Sequence, residues 1–396
     1  MTAQALIGIL ERLDRIEQHL GLVPEPPPAL ELGPPPAVAD PRQQPPAPVA
    51  LWVRRTEDLL RVVPADFIGM HFNRIPVSEG RESPLPTYPV DTVRSHDYDP
   101  AHGRSGPQLR QVFPGAERTD ATALRAWAER HATKRLIWTM GGTPRWAATN
   151  EEPGPWGSPG AASPPAVEGL AARVVAVALE LGIDAIEIWN EPDPDIPAGS
   201  KYDRWWSGTM EELARWAGWL QRALDAAGAR DRIMLVGPAF TDLQGYSSGE
   251  GKIHRFAEAA RKQGVLLDAF TWHWYDYQGN VETTAIRFAE DCARIRTAVA
   301  EAFGPMPVWI TELGAWQWGG ASQVQQSRAL WRWLAIAAAS GMDLACLYGH
   351  EFDTIGRPIE GGPTADAIAM AHRELVGRSI RQCAVLETGE VWVDAQ

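Results

Sequence analysis

The chain has 396 residues, 45% of them hydrophobic, which is enough to bury a large core in one big domain or two modest ones and excludes general disorder. Its 50 acidic residues outnumber 37 basic ones for a formal charge of −13, so a nucleic-acid backbone is not an expected partner of the whole chain. Cys292, Cys346 and Cys383 follow no CxxC or metal-ligand spacing, and neither a disulfide framework nor a zinc site is expected.

In chain order, Leu6, Ile9, Leu13, Ile16 and Leu20 mark a short heptad seam over residues 1–22. Fewer than three heptads are marginal alone, so two readings stand: a homo-oligomerising helix, or one docked on its own domain or frayed. Glu11, Arg12, Asp14 and Arg15 interrupt the apolar run and no basic segment precedes it, so the expectation is a cytoplasmic protein without a secretory signal, with release by another route left open. No stretch approaches membrane-spanning length. Residues 23–49, with Pro26–Pro28, Pro34–Pro36 and Pro45–Pro46, read as an extended linker.

From residue 50 to 378 the pattern becomes short apolar strands between longer helical runs. The strands are expected at Phe67–Phe72, Thr92–Ser95, Leu136–Met140, Ala185–Trp189, Ile233–Val236, Ala269–Trp274, Val308–Thr311 and Leu344–Tyr348. Helices are expected at Ala121–His131, Ala166–Leu181, Arg204–Ala227, Ile253–Gln263, Ile286–Ala302 and Val324–Ala339. Ser163-Pro164-Pro165 suits a helix start, and Gly182, Gly228, Gly264 and Gly341 suit helix ends. Eight such units predict an α/β fold, a closed (β/α)8 TIM barrel. Residues 379–396 read as a hairpin, Ile380–Leu386 with Val391–Val393, which with Leu51–Val53 makes a small β appendage.

In such a barrel the reactive groups stand at the C-terminal ends of the strands. The fourth strand ends in Asn190-Glu191-Pro192-Asp193 and the seventh in Thr311-Glu312-Leu313-Gly314. Two opposed carboxyls are what glycosidic cleavage needs: one protonates the departing oxygen while the other attacks or activates water. For either Glu alone, a helix cap or a surface ion pair is the plainer reading.

Asn190-Glu191-Pro192 after the fourth strand, with Glu312 after the seventh, resembles the signature of clan A glycoside hydrolases over Phe67 to Phe352. Gly142-Thr143-Pro144-Arg145-Trp146 and the Arg94-Ser95-His96 element are most similar to glycoside hydrolase family 39, which holds bacterial exopolysaccharide hydrolases and β-xylosidases. The resemblance implies a retaining mechanism with Glu191 as acid/base and Glu312 as nucleophile. It implies that Asn190 binds the sugar 2-hydroxyl, that Tyr275 orients Glu312 and that His273 lines the donor subsite, although His273 also reads as an ordinary core histidine. His71, Asn73, Arg94, His96, Trp146, Trp316, Trp318 and Tyr348 or His350 are further candidates for the substrate site, and Glu351 is a spare carboxylate. No cofactor or metal is implied.

The substrate expected is a polysaccharide or oligosaccharide. Only a short tail follows the eighth strand, where family 39 xylosidases carry a β-sandwich, which turns the expectation toward endo action on a bacterial exopolysaccharide or β-glycan; exo action of the β-xylosidase kind is the alternative. Three rival readings fit the sequence less well. A metal-dependent barrel lacks a His-x-His at the first strand, where His71-Phe72-Asn73 stands. A phosphate-binding barrel would rest on Gly319-Gly320 alone. A non-catalytic sugar-binding barrel would not need an opposed carboxylate pair.

Overall fold

The computed structural model of the protein describes residues 50–55, 62–72, 75–78, 81–82, 88–96, 119–154, 160–193, 205–241, 249–276, 284–315, 323–348, 362–386 and 391–396. The expected heptad helix (1–22) and linker (23–49) lie outside the described residues.

Eight parallel strands close a barrel: β2 (Ile68–Phe72), β5 (Thr92–His96), β6 (Arg135–Thr139), β7 (Ala185–Glu187), β8 (Met234–Phe240), β9 (Ala269–Asp276), β10 (Val308–Ala315) and β11 (Leu344–Tyr348), with β11 pairing back to β2. Around it lie α1 (Ala121–Arg130), α2 (Gly169–Leu181), α3 (Met210–Ala226), α4 (Gly249–Lys262), α5 (Ala285–Phe303), α6 (Gln323–Ala339) and α7 (Gly362–Leu375). This is the expected (β/α)8 barrel. The expected appendage is a three-stranded antiparallel sheet of β1 (Ala50–Arg55), β12 (Ile380–Leu386) and β13 (Val391–Ala395), with β12 in the centre. None of the described helices is long and apolar enough to cross a membrane.

The period-two alternation of the strands sorts side chains to the two faces of the barrel wall. Ile137, Ala185, Val236, Ala269, Trp309, Leu344 and Cys346 cluster inside it, while Ile186, Ile188, Leu235, Phe270 and Ile310 join the larger core beneath the helices. Much of that core is tryptophan: Trp127, Trp138, Trp216, Trp272 and Trp333 are among the fully buried side chains, so packing absorbs a large share of the indoles. Helix ends follow local chemistry. Asp120 caps α1 by accepting from the Thr122 and Ala123 amides, Thr209 and Glu212 form a reciprocal capping box on α3, and Gly182 ends α2 at φ 70°.

Several boundaries differ from expectation. α2 starts at Gly169 rather than after Ser163-Pro164-Pro165, because those residues pair with the preceding loop: Ser163 Oγ accepts from the Asn150 amide, Thr149 Oγ1 donates to the Pro164 carbonyl, and Pro165 bridges Ala148. α3 starts at its capping box instead of Arg204. β7 has three residues, shorter than expected, although beyond it the Ile188 amide still donates to the Val236 carbonyl and the Asn190 amide to the Met140 carbonyl. α7 and the two-residue strands β3 (Val77–Ser78) and β4 (Arg81–Glu82) were not anticipated.

Candidate active site

The C-terminal ends of the strands bring together His71 (β2), Arg94 and His96 (β5), Asn190 and Glu191 (after β7), His273 and Tyr275 (β9), Glu312 (β10) and Tyr348 (β11). Parallel register does the placing: His71 lies opposite Arg94, Tyr348 opposite His71, and Glu312 opposite His273 beside a register shift after Ile310.

Arg94, wholly buried, is the hub. Nε and Nη2 lie 2.8 and 2.7 Å from Glu187 Oε2, Nη2 donates to Asn190 Oδ1 at 2.8 Å, and Nη1 reaches Glu312 Oε1 and lies 2.9 Å from His71 Nδ1. The other Glu312 oxygen, Oε2, accepts from the Tyr275 hydroxyl. Glu312 therefore has a donor on each oxygen and a side chain only 6% exposed.

Glu191 is set differently. Its side chain is 22% exposed, and Oε1 lies 2.8 Å from His273 Nδ1, which is also 3.5 Å from Glu312 Oε2. Glu191 takes φ 46°, left-handed backbone rare outside glycine, with its amide donating to the Ala239 carbonyl at 3.1 Å. One carboxylate oxygen of Glu191 and one of Glu312 lie within 4.8 Å of each other and of a His273 nitrogen.

Burial, opposed by the attraction of Glu312, lowers His273 to about 4, so the ring is neutral at ordinary pH. The carboxylates that flank Nδ1 assign the proton to that nitrogen, from which it donates to Glu191. Burial and then the charge of Arg94 lower His96 well below the usual range, leaving a neutral ring whose Nε2 donates to Asn190 Oδ1 at 3.0 Å. Burial alone would raise Glu187, but the charge of Arg94, together with smaller contributions from His273 and from the Thr271 and Thr311 hydroxyls, holds this carboxyl below its ordinary value. Burial, then the neighbouring charge of Glu312, raises Tyr275 well above its ordinary value, so the phenol keeps its proton.

Of the residues expected from the sequence, Glu191, Glu312, Asn190, His273, Tyr275, His71, Arg94, His96 and Tyr348 converge. Tyr348 stacks on His71 with ring centroids 4.7 Å apart and meets Tyr275 edge-on. Trp146 stands apart from this cluster, 45% exposed under the Arg173 guanidinium. Trp316, Trp318, Asn73, His350 and Glu351 lie outside the described residues.

Four functional neighbours were not anticipated. Glu187 was legible as a lone acid between Ile186 and Ile188, in phase with the inward-facing Ala185. Trp205, edge-on to His96 at 5.6 Å, and the buried pair of Asp193 with Lys252 carried no spacing signal, because their elements meet only on folding.

Two groups of side chains could hold a cation by proximity: His71, His96 and Glu312, and Glu191, His273 and Glu312. The first already embraces Arg94 Nη1, in contact with both His71 and Glu312. In the second, a ligand at His273 Nδ1 would displace the proton to Nε2, a buried atom with no hydrogen-bond partner among the described residues. Neither set fits a resident metal.

The glycosyl hydrolase catalytic core family model matches residues 175–338, a stretch that contains Asn190, Glu191, His273, Tyr275 and Glu312. No curated protein matches the sequence. Among solved structures, a glucosidase from Croceicoccus marinus is similar at 16% identity and TM-score 0.54, covering 81% of this chain and 70% of its own. The GH39 enzyme from Xanthomonas axonopodis pv. citri gives 14% identity and TM-score 0.55, with 88% and 77% covered. A conserved exported protein from Bacteroides fragilis gives 12% identity and TM-score 0.56, with 83% and 82% covered. At these identities the likeness is one of fold.

Proposed function

Taking this chain as a glycoside hydrolase, we propose that it acts with retention through a covalent glycosyl-enzyme, with Glu312 as nucleophile and Glu191 as acid/base. The separation of the two carboxylates carries the reading. Retaining enzymes hold them about 5–5.5 Å apart and inverting ones about 6.5–9.5 Å, the larger gap leaving room for water; oxygens within 4.8 Å fit the former.

The two environments divide the roles. Glu312, with Arg94 and Tyr275 each donating to one oxygen, is oriented as a carboxylate that attacks the anomeric carbon. Glu191, more exposed, gives its proton to the departing oxygen. In the second step Glu191 takes a proton from water, which attacks the anomeric carbon and releases Glu312. With Asn190 Oδ1 committed to Arg94 and His96, its amide presents Nδ2 as a donor to the sugar 2-hydroxyl.

The substrate we propose is the interior of a polysaccharide, a bacterial exopolysaccharide or a β-glycan, cleaved in the manner of family 39. Two measurements test this: product sizes from a polymer panel by mass spectrometry with Glu312→Gln as control, and the anomer first released, by NMR. Oligosaccharide ladders absent from the control, with retained configuration, are expected. An inverted first product would sink the mechanism; monosaccharides alone would sink the endo reading.

A further inference from the structure

Behind Glu191 the same loop carries a second acid in a setting that the mechanism does not use. Asp193 is buried, Oδ1 accepting from Lys252 Nζ on α4. Its Oδ2 accepts from the Thr241 hydroxyl at 2.8 Å and the Thr241 amide at 3.2 Å, at the end of β8. Both charged side chains are 1% exposed. Opposite charges so deeply buried stabilise little compared with an apolar pair of similar volume, so their presence asks for a purpose beyond stability.

The backbone supplies one. The Asp193 amide donates to the Glu191 carbonyl at 2.8 Å, and the Glu191 amide to the Ala239 carbonyl at 3.1 Å. Glu191 and Ala239 both have positive φ, 46° and 55°. Such a conformation persists only where its surroundings over-determine it. Glu191 is tied ahead to the end of β8 and behind to Asp193, which Thr241 ties to β8 and Lys252 ties to α4.

We propose that Asp193, locked by Lys252 and Thr241, is a positioning residue for Glu191, holding its backbone in the left-handed conformation that sets the carboxyl beside His273. This rests on the reading of Glu191 as acid/base. Asp193 touches neither reacting atom in the proposed scheme. Its effect passes through Glu191, so its loss is felt only where proton donation limits the rate.

The test compares Asp193→Asn, Thr241→Val and the double variant Asp193→Leu/Lys252→Met, which removes both charges and so keeps the interior neutral if single variants fold poorly. Glu191→Ala runs in parallel. Each is assayed for kcat/KM on the polymer identified by the product screen and on a dinitrophenyl glycoside of one of its oligosaccharides, whose leaving group needs no proton. For Asp193→Asn and the double variant, polymer kcat/KM is expected to fall about 100-fold while the dinitrophenyl rate stays within about threefold. Thr241→Val is expected to show the same pattern more weakly, and a crystal structure of the double variant to show Glu191 leaving φ 46°. Equal losses on both substrates, or a wild-type polymer rate in the double variant, overturn the proposal. If Glu191→Ala itself loses equally on both, the acid/base reading fails and takes the proposal with it; selective loss in Glu191→Ala but not at Asp193 counts against the positioning role alone.

Discussion

Arg94 and Glu187 form an ion pair sealed inside the barrel, Nε and Nη2 lying 2.8 and 2.7 Å from one carboxylate oxygen with neither side chain exposed. Thr139 Oγ1 donates to the same oxygen at 2.8 Å. The pair stands between the apolar floor of Ile137, Ala185 and Trp309 and the polar mouth, and its arginine also holds Asn190 and Glu312.

Removing one partner of a buried pair leaves the other charge uncompensated, which costs about 3–5 kcal/mol. Glu187→Gln is expected to lose stability of that order in urea unfolding and to lower kcat as Arg94 shifts away from Glu312. A variant within about 1 kcal/mol of wild type would contradict the compensating role of Glu187.

Tyr275 is 4% exposed, and its hydroxyl donates to Glu312. Tyr275→Phe removes that donor and keeps the ring, so kcat/KM should fall about 100-fold while the melting temperature barely moves. Steady-state kinetics beside calorimetry check this; a large thermal shift with little kinetic loss would make the hydroxyl structural.

Burial holds His273 at about 4 in the folded protein, below its unfolded value of 6.5. Above pH 6.5 both states carry a neutral ring and the residue adds no pH dependence. As pH falls from there to about 4, the unfolded chain binds a proton that the folded one refuses, and stability is lost. The loss should amount to about 3 kcal/mol across that window, and His273→Gln should remove it from the stability profile. An unchanged slope in the variant would assign the acid sensitivity elsewhere, with His96, similarly lowered, the next group to replace.

Gly69 on β2 faces the interior floor, where an added Cβ would meet Cys346 Sγ at 2.4 Å. Gly69→Ala is expected to cost about 1–3 kcal/mol by overpacking, and Cys346→Ala in the same chain to return part of it. Additive losses in the double variant would show that the contact with Thr92 O, at 3.1 Å, is the obstacle instead.

Much of the site could be read before folding was considered. A parallel barrel sends every strand end to one mouth, so Glu191 and Glu312 were placed by strand position, while the family resemblance pointed to His273, Tyr275, Arg94 and His96. Strand centres were legible because the apolar period changes sharply from two to nearly four. The start of α2 was not, because the pairing of Ser163–Pro165 with residues 148–150 outweighs the local preference of Ser-Pro-Pro for a helix N-terminus. Trp146 shows another limit: an indole after a strand carries no record of which way its loop turns, and here its ring meets the Arg173 guanidinium.

By itself, then, the sequence determined the alternation of strand and helix, and with it the barrel and the two carboxylates at its mouth, since these follow from local periodicity and from which residue ends each strand. Tertiary structure alone decided how close those carboxylates come, which of them Arg94 and Tyr275 hold, and that Asp193 meets Lys252 behind Glu191. Distances between distant segments depend on barrel closure and on loop paths; the burial that keeps His273 neutral and the Arg94 charge that helps hold Glu187 ionised against its burial act only once the chain has closed around them.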